Sequence, residues 1–134
     1  MITRPAARAI IAIGGYVLLA QALDESFALL PGGGIEAGEA PAQALVRELR
    51  EELKREVAMI TPCETLRHTW THRGDIIDEV MHIFRVKLYP ILTELPVRSN
   101  EDWQEFFWCP IHDLARIPIV PAAVIPIIGM YGGV

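Results

Sequence analysis

The stretch from Leu30 to Arg55, LPGGGIEAGEAPAQALVRELREELKR, constrains this chain more than any other part of it. It opens with Pro31 and three successive glycines, turns again at Gly38 and enters a helix near Pro41. Proline is tolerated there because the first-turn N–H groups have no intrahelical partner to lose. With successive residues about 100° apart, Ala42, Leu45, Val46, Leu49 and Leu53 gather into one apolar arc that must face a core. Glu48, Glu51 and Glu52 fall together along one border of that arc. The segment reads as a glycine loop feeding a helix that carries a carboxylate face.

Local electrostatics gives those carboxylates no support. Glu48 and Glu52 stack one turn apart as like charges, as do Glu52 and Glu56, each pair costing about 0.2–0.5 kcal/mol in an isolated helix. They also lie toward the C-terminal half of the helix, where the macrodipole disfavours anions. A bound divalent cation would reverse each penalty, and hard oxygen donors without sulfur suit Mg2+, or Mn2+, rather than zinc. The plainer reading is a solvated face, with Arg47 and Glu51 as an i, i+4 pair and Arg50 and Lys54 as solubilising cations.

The whole pattern, Gly33, five residues, Glu39, seven residues, then Arg47-Glu48-Leu49-Arg50-Glu51-Glu52, resembles the Nudix box. The resemblance implies an α/β fold, a Nudix-type α/β/α sandwich with a mixed β-sheet and a loop-helix-loop catalytic motif, as one domain over residues 1–134. It implies a Nudix hydrolase that cleaves a pyrophosphate bond in a nucleoside diphosphate linked to another moiety. The metal ligands it implies are the Gly32 carbonyl and the carboxylates of Glu48, Glu51 and Glu52, with Glu105 as a late addition, for which Glu101 and Asp102 are near enough to substitute. Glu51 or Glu52 would take the proton from the attacking water, with Glu105 the outsider. Arg47, counted with the catalytic set, would pair with Glu39 and brace the helix against the loop. Gly33 would let backbone approach the substrate closely. The box departs from the family pattern where its closing glycine is Lys54 and the next aliphatic residue is Arg55. A lysine there either accepts the left-handed conformation or lets the helix run on.

The rest of the chain alternates strand and helix signals. A strand is expected from Ala6 to Ile13, a tight turn at Gly14-Gly15 and a second strand from Tyr16 to Ala22. Arg4 and Arg8 before this apolar run also mimic the start of a signal peptide, although processing would remove both strands. Further strands are expected at Glu64–Trp70, Glu79–Leu88 and Glu105–Cys109, with a short helical turn at Ile111–Ala115. His68, Trp70 and His72 alternate and so share one strand face, either as ordinary packing or as a surface that stacks a base, with Trp70 the substrate-binding candidate. Residues 117–134 carry no charge, but their prolines and glycines argue against a membrane span. A helix beginning near Pro121 would lay this stretch against the core or against a second copy in a homodimer.

Composition narrows the function classes. The net charge of −5 offers no footprint for duplex nucleic acid and would repel a polyphosphate unless cations intervened. Two cysteines, Cys63 and Cys109, are too few for a disulfide framework and read as buried thiols in a reducing, cytoplasmic setting. No Gly-Lys-Ser/Thr follows the glycines, which excludes a P-loop. The expected partner is a small nucleotide, a nucleoside triphosphate by preference. Two other readings are a non-catalytic nucleotide-binding regulator and an isoprenoid diphosphate isomerase using Cys63.

Overall fold

The N-terminal apolar run divides between two sheets. In the computed structural model, which describes residues 1–93, 97 and 99–133, β1 spans Ile2–Ile10, β2 Ala12–Ile13 and β3 Tyr16–Ala22. The chain leaves the first sheet at Ile11, so the strand expected over Ala6–Ile13 is two strands and begins four residues earlier. Gly14 (φ 55°) and Gly15 (φ 84°) make the hairpin that pairs Ala12 with Val17 and Ile13 with Tyr16, since two consecutive positive φ angles match the twist of the flanking strands.

After a short β4 (Gly32–Gly34) the chain forms α1 (Pro41–Leu53), then the long hairpin of β5 (Glu56–His72) and β6 (Asp75–Tyr89). The hairpin turns at Arg73 (φ 50°) and Gly74 (φ 86°). The expected strands at Glu64–Trp70 and Glu79–Leu88 are its central portions. Beyond it lie β7 (Gln104–Pro110), a 3-10 turn over Ile111–Arg116 and α2 (Val124–Tyr131). One sheet has the order β4-β1-β6-β5, with β1 and β6 parallel and the other neighbours antiparallel, and the second has the order β2-β3-β7.

Two cores follow from the alternation of side chains. Ala44, Leu45, Leu49 and Leu53 of α1 pack on Ala7 and Ala9 of β1, Phe84 and Val86 of β6, and Leu18 and Phe106 of the smaller sheet. The helical arc therefore includes Ala44, while Val46 is only half-buried. On the other side, Ile10, Val17, Leu19, Met81 and Ile83 meet Leu114, Ile119, Val124 and Ile128. The sheets thus lie between α1 and α2. The uncharged C-terminal stretch is used by this second core, with α2 starting three residues after Pro121, whose carbonyl accepts the Val124 N–H at 3.1 Å. Val134, its last residue, lies outside the described residues. Among the described residues no helix is long and apolar enough to cross a membrane. Cys109 is buried, but Cys63 is only half-buried because it sits on β5, the edge strand.

Candidate active site

Glycine is required in β4 for two separate reasons. Gly32 has φ 138°, and a β-carbon there would strike the Ala7 carbonyl oxygen of the neighbouring strand. A β-carbon on Gly33 would stand 2.6–2.8 Å from the carboxylate of Glu48, so the missing side chain is the space that this carboxylate uses. Arg47 ties the loop to the helix. Its Nε donates to Glu39 Oε2 at 2.8 Å and one terminal nitrogen donates to Glu39 Oε1 at 3.0 Å and to the Gly34 carbonyl at 3.1 Å. The other terminal nitrogen donates to Glu48 Oε1 at 3.0 Å and lies 3.5 Å from Glu51. With its donors so engaged, Arg47 is a positioning residue rather than one that reaches substrate.

The ends of α1 are held as firmly. Gln43 Oε1 accepts the Ala40 N–H at 2.9 Å at the start. At the finish Lys54 adopts the left-handed conformation (φ 52°, ψ 42°), and its N–H donates to the Arg50 carbonyl. Of the two outcomes open to a lysine at the family's glycine position, the helix stops.

The charges of the site are sharply differentiated. Hydrogen bonds from Arg47, then the Glu36 backbone bond, pull the Glu39 carboxyl down to about 2, and Glu39 in turn raises the Arg47 guanidinium. Glu52 is buried, and burial first, then its hydrogen bond with Glu48 and that group's charge, push its carboxyl far above the ordinary range. The positive charge of Arg8 and a hydrogen bond from Gln104 Nε2 at 3.2 Å oppose the rise. Two carboxyl groups hydrogen-bonded to each other in an apolar setting hold a proton between them unless a cation takes its place. Glu48 and Glu52 therefore fit a hard divalent ion in donor type and in their need for positive charge. Glu51 lies along the same helical face but is half-exposed and turned to Arg47. Among the described residues, no three histidine, cysteine, aspartate or glutamate side chains stand gathered as a cage.

The residue that reaches the box helix from β7 is a neutral amide one position before Glu105. Gln104, not Glu105, reaches Glu52, because alternation along β7 turns Gln104 and Phe106 together toward the α1 side. Glu105 is exposed on the opposite face, which it shares with Phe107 and Cys109. Glu101 accepts a hydrogen bond from the Trp103 indole, and Asp102 is exposed.

Beside the box lies a cleft of about 480 Å³ whose lining includes Arg4, Arg8, Phe27, Trp70, Arg73 and Trp103. Arg4 and Arg8 sit four residues apart on β1 and so share a face, with Arg8 opposite Gly32 and Arg4 next to Pro5, whose carbonyl accepts the Ile35 N–H. Arg8 donates to the Leu30 carbonyl at 3.1 Å, while its buried Nε meets no acceptor among the described residues. Trp70 meets Phe27 edge to face at 5.8 Å, stacks with His68 at 6.3 Å and touches His72 at 5.1 Å, so the alternating trio does share one surface. Its buried indole N–H is likewise without an acceptor among the described residues. Arg4, Arg8, Phe27 and Trp103 were not legible as site residues in the sequence, although the four-residue spacing of the arginines within a strand was a usable signal.

Comparison with known proteins agrees with this architecture. The family model described as NUDIX domain matches residues 3–126. The nucleoside triphosphatase NudI of Escherichia coli O139:H28 is 31% identical over 118 residues, covering 77% of this chain and 78% of that one. The solution structure of the E. coli ORF135 protein superposes with a TM-score of 0.66 at 30% identity, covering 96% of this chain and 88% of that chain. The MutT NUDIX hydrolase of Burkholderia pseudomallei gives a TM-score of 0.70 at 23% identity, covering 95% and 97%. With its box, its sandwich and these relatives in agreement, the chain belongs to the Nudix family and is a Nudix hydrolase, a pyrophosphohydrolase of acid anhydrides.

Proposed function

We propose that the chain hydrolyses a nucleoside triphosphate, or a related small nucleotide, at a pyrophosphate bond, with Mg2+ or Mn2+ held by Glu48 and Glu52 and with Glu51 as the proton acceptor. The observation that carries this reading is the cleft itself, which sets the guanidinium groups of Arg8 and Arg4 beside an aromatic surface of Phe27, Trp70 and Trp103, with Arg8 near enough for its charge to be felt at Glu52. A nucleotide presents anionic phosphates to such cations and a flat, apolar base to such rings. The name of the relative NudI, a nucleoside triphosphatase, points to the same class.

Bound divalent metal supplies Lewis acidity at the scissile phosphate and lowers the pKa of a coordinated water. The chain's own groups do the rest. Glu48 and Glu52 would hold the ion against the backbone of Gly32 and Gly33, and Arg47 with Glu39 fixes the helix on that loop. Glu51 is the box carboxylate with solvent access, and it would accept the proton of the attacking water. Arg8 would donate to a phosphate oxygen.

The test is phosphate, pyrophosphate or nucleoside monophosphate release from nucleoside triphosphates, ADP-ribose, nucleotide sugars and dinucleoside polyphosphates, with magnesium and with chelator. Magnesium-dependent cleavage of triphosphates is the expected result. Cleavage confined to another class would reject the substrate assignment, and turnover in chelator would reject the metal.

A further inference from the structure

Behind Arg8, which lines the cleft, runs a chain of charged and polar groups that the chemistry described so far leaves unused. Glu79 of β6 is buried at 3% exposure. Its cross-strand neighbours are His68 of β5 and Arg4 of β1, and His68 Nε2 donates to Glu79 Oε1 at 2.7 Å, since a carboxylate only accepts. The other oxygen, Oε2, lies 3.9 Å from a terminal nitrogen of Arg8. Arg8 is not a cross-strand neighbour of Glu79, because its own partner on β6 is Ile83. The two side chains therefore meet only by leaning toward one another along the strands, across the four-residue offset of about 13 Å from Glu79 to Ile83. In that pose one terminal nitrogen of Arg8 donates to the Leu30 carbonyl at 3.1 Å and the other faces Glu79, while Nε is buried with no acceptor among the described residues.

A carboxylate buried beside the cleft is a liability for a protein that takes a polyphosphate, because its charge repels the phosphates through a medium that screens poorly. It helps only through a cation that it holds. Resting on the nucleotide reading above, in which Arg8 meets a phosphate, we infer that Glu79 is a positioning residue for Arg8. It draws the guanidinium along the strand and, together with the Leu30 carbonyl, fixes it so that Nε is left for substrate. His68 in turn fixes Glu79, holding Oε1 and leaving Oε2 to Arg8. An arginine already held at both terminal nitrogens loses less side-chain freedom when it takes a phosphate, and its orphaned N–H gains the acceptor it lacks.

The experiment measures kcat and KM for UTP, CTP, GTP and ATP with magnesium in the full chain, Glu79→Gln, Arg8→Met and the double variant, with circular dichroism confirming that each is folded. Glutamine keeps the size of Glu79 and its bond from His68 but not its charge. Glu79→Gln should raise KM about tenfold on the nucleotides cleaved and change kcat by less than about twofold. With Arg8 already replaced, the same substitution should change KM by less than about twofold, because it acts through a side chain no longer present. Glu79→Asp, which keeps the charge on a shorter arm, should recover part of the loss, and it carries the same cycle if the glutamine variant does not fold. An unchanged or lower KM in Glu79→Gln would mean that the carboxylate merely repels substrate, and equal losses with and without Arg8 would make its role structural; either result overturns the inference. If the unsubstituted protein cleaves none of these nucleotides, the nucleotide reading falls and the comparison moves to binding of inorganic tripolyphosphate with magnesium. There Glu79→Gln should weaken Kd about tenfold, and an unmoved Kd would overturn the inference as well.

Discussion

The carboxylate of Glu48 occupies the volume that a β-carbon on Gly33 would claim, with contacts of 2.6–2.8 Å. A methyl group there meets the far end of a flexible side chain, so the fold can yield by moving Glu48. Gly33→Ala should therefore leave the melting temperature within a few degrees and lower kcat by about 100-fold, the scale that follows displacement of a reacting group by about 1 Å. Gly32→Ala meets the backbone of Ala7 instead and has nothing flexible to displace. It should lower the melting temperature sharply, and thermal denaturation beside steady-state kinetics separates the two. Equal thermal losses would show that Gly33 serves the strand rather than Glu48.

Lys54 stops α1 in a conformation that costs an L-residue about 1 kcal/mol and costs glycine almost nothing. Its side chain is exposed. Lys54→Gly, which restores the family's usual residue, should raise the melting temperature by about 2–5 °C with kcat unaltered. A lower melting temperature would mean that the lysine side chain supplies something its backbone strain conceals.

Glu39 gives a pH signature. Its folded carboxyl lies at about 2, against about 4.5 for the free group, because Arg47 donates to it. A carboxyl depressed by folding contributes stability that is fully present above its unfolded value and is lost as pH falls toward the folded value. The melting-temperature gap between the unsubstituted protein and Glu39→Gln should be constant above about pH 5.5 and close progressively between about pH 4.5 and 2. A gap that widens with acid would contradict the Arg47 pairing.

How much of this was legible in the sequence depends on how local the determining forces are. The loop and α1 follow from glycine placement and a 3.6-residue period, and Leu45, Leu49 and Leu53 are buried as that period requires. The Gly14-Gly15 hairpin is equally local. Glu105 shows the contrary case, because strand alternation leaves open which of its two rows faces α1, and the packing of Phe106 into that core gives Gln104 the place beside Glu52. The cleft was hidden for a different reason. Arg4, Phe27, Trp70 and Trp103 come from four separate segments, and only the pairing of β1 with β6 and of β6 with β5 brings their parts together. Read along the chain, Arg4 and Arg8 are merely charges flanking an apolar run.

The strongest test of the box is Glu52→Gln. Glu52 is buried, bonded to Glu48 and Gln104, and its carboxyl is raised by burial and by its acidic neighbour. Without a cation, an amide of the same shape relieves that repulsion while keeping a hydrogen bond to Glu48, so the variant should be at least as stable as the parent in chelator. With magnesium the order should invert. Ligand binding to the folded state alone raises stability by about 2.7 kcal/mol at 100 times Kd, a gain the variant would largely forgo. Thermal denaturation of both proteins in chelator and across a magnesium titration reads this directly, and turnover should fall by about 100-fold or more for loss of one metal ligand. If Glu52→Gln kept both the magnesium-induced rise in melting temperature and the magnesium-dependent turnover, the buried pair would be a structural hydrogen bond and the ion would have to be held elsewhere on the helix.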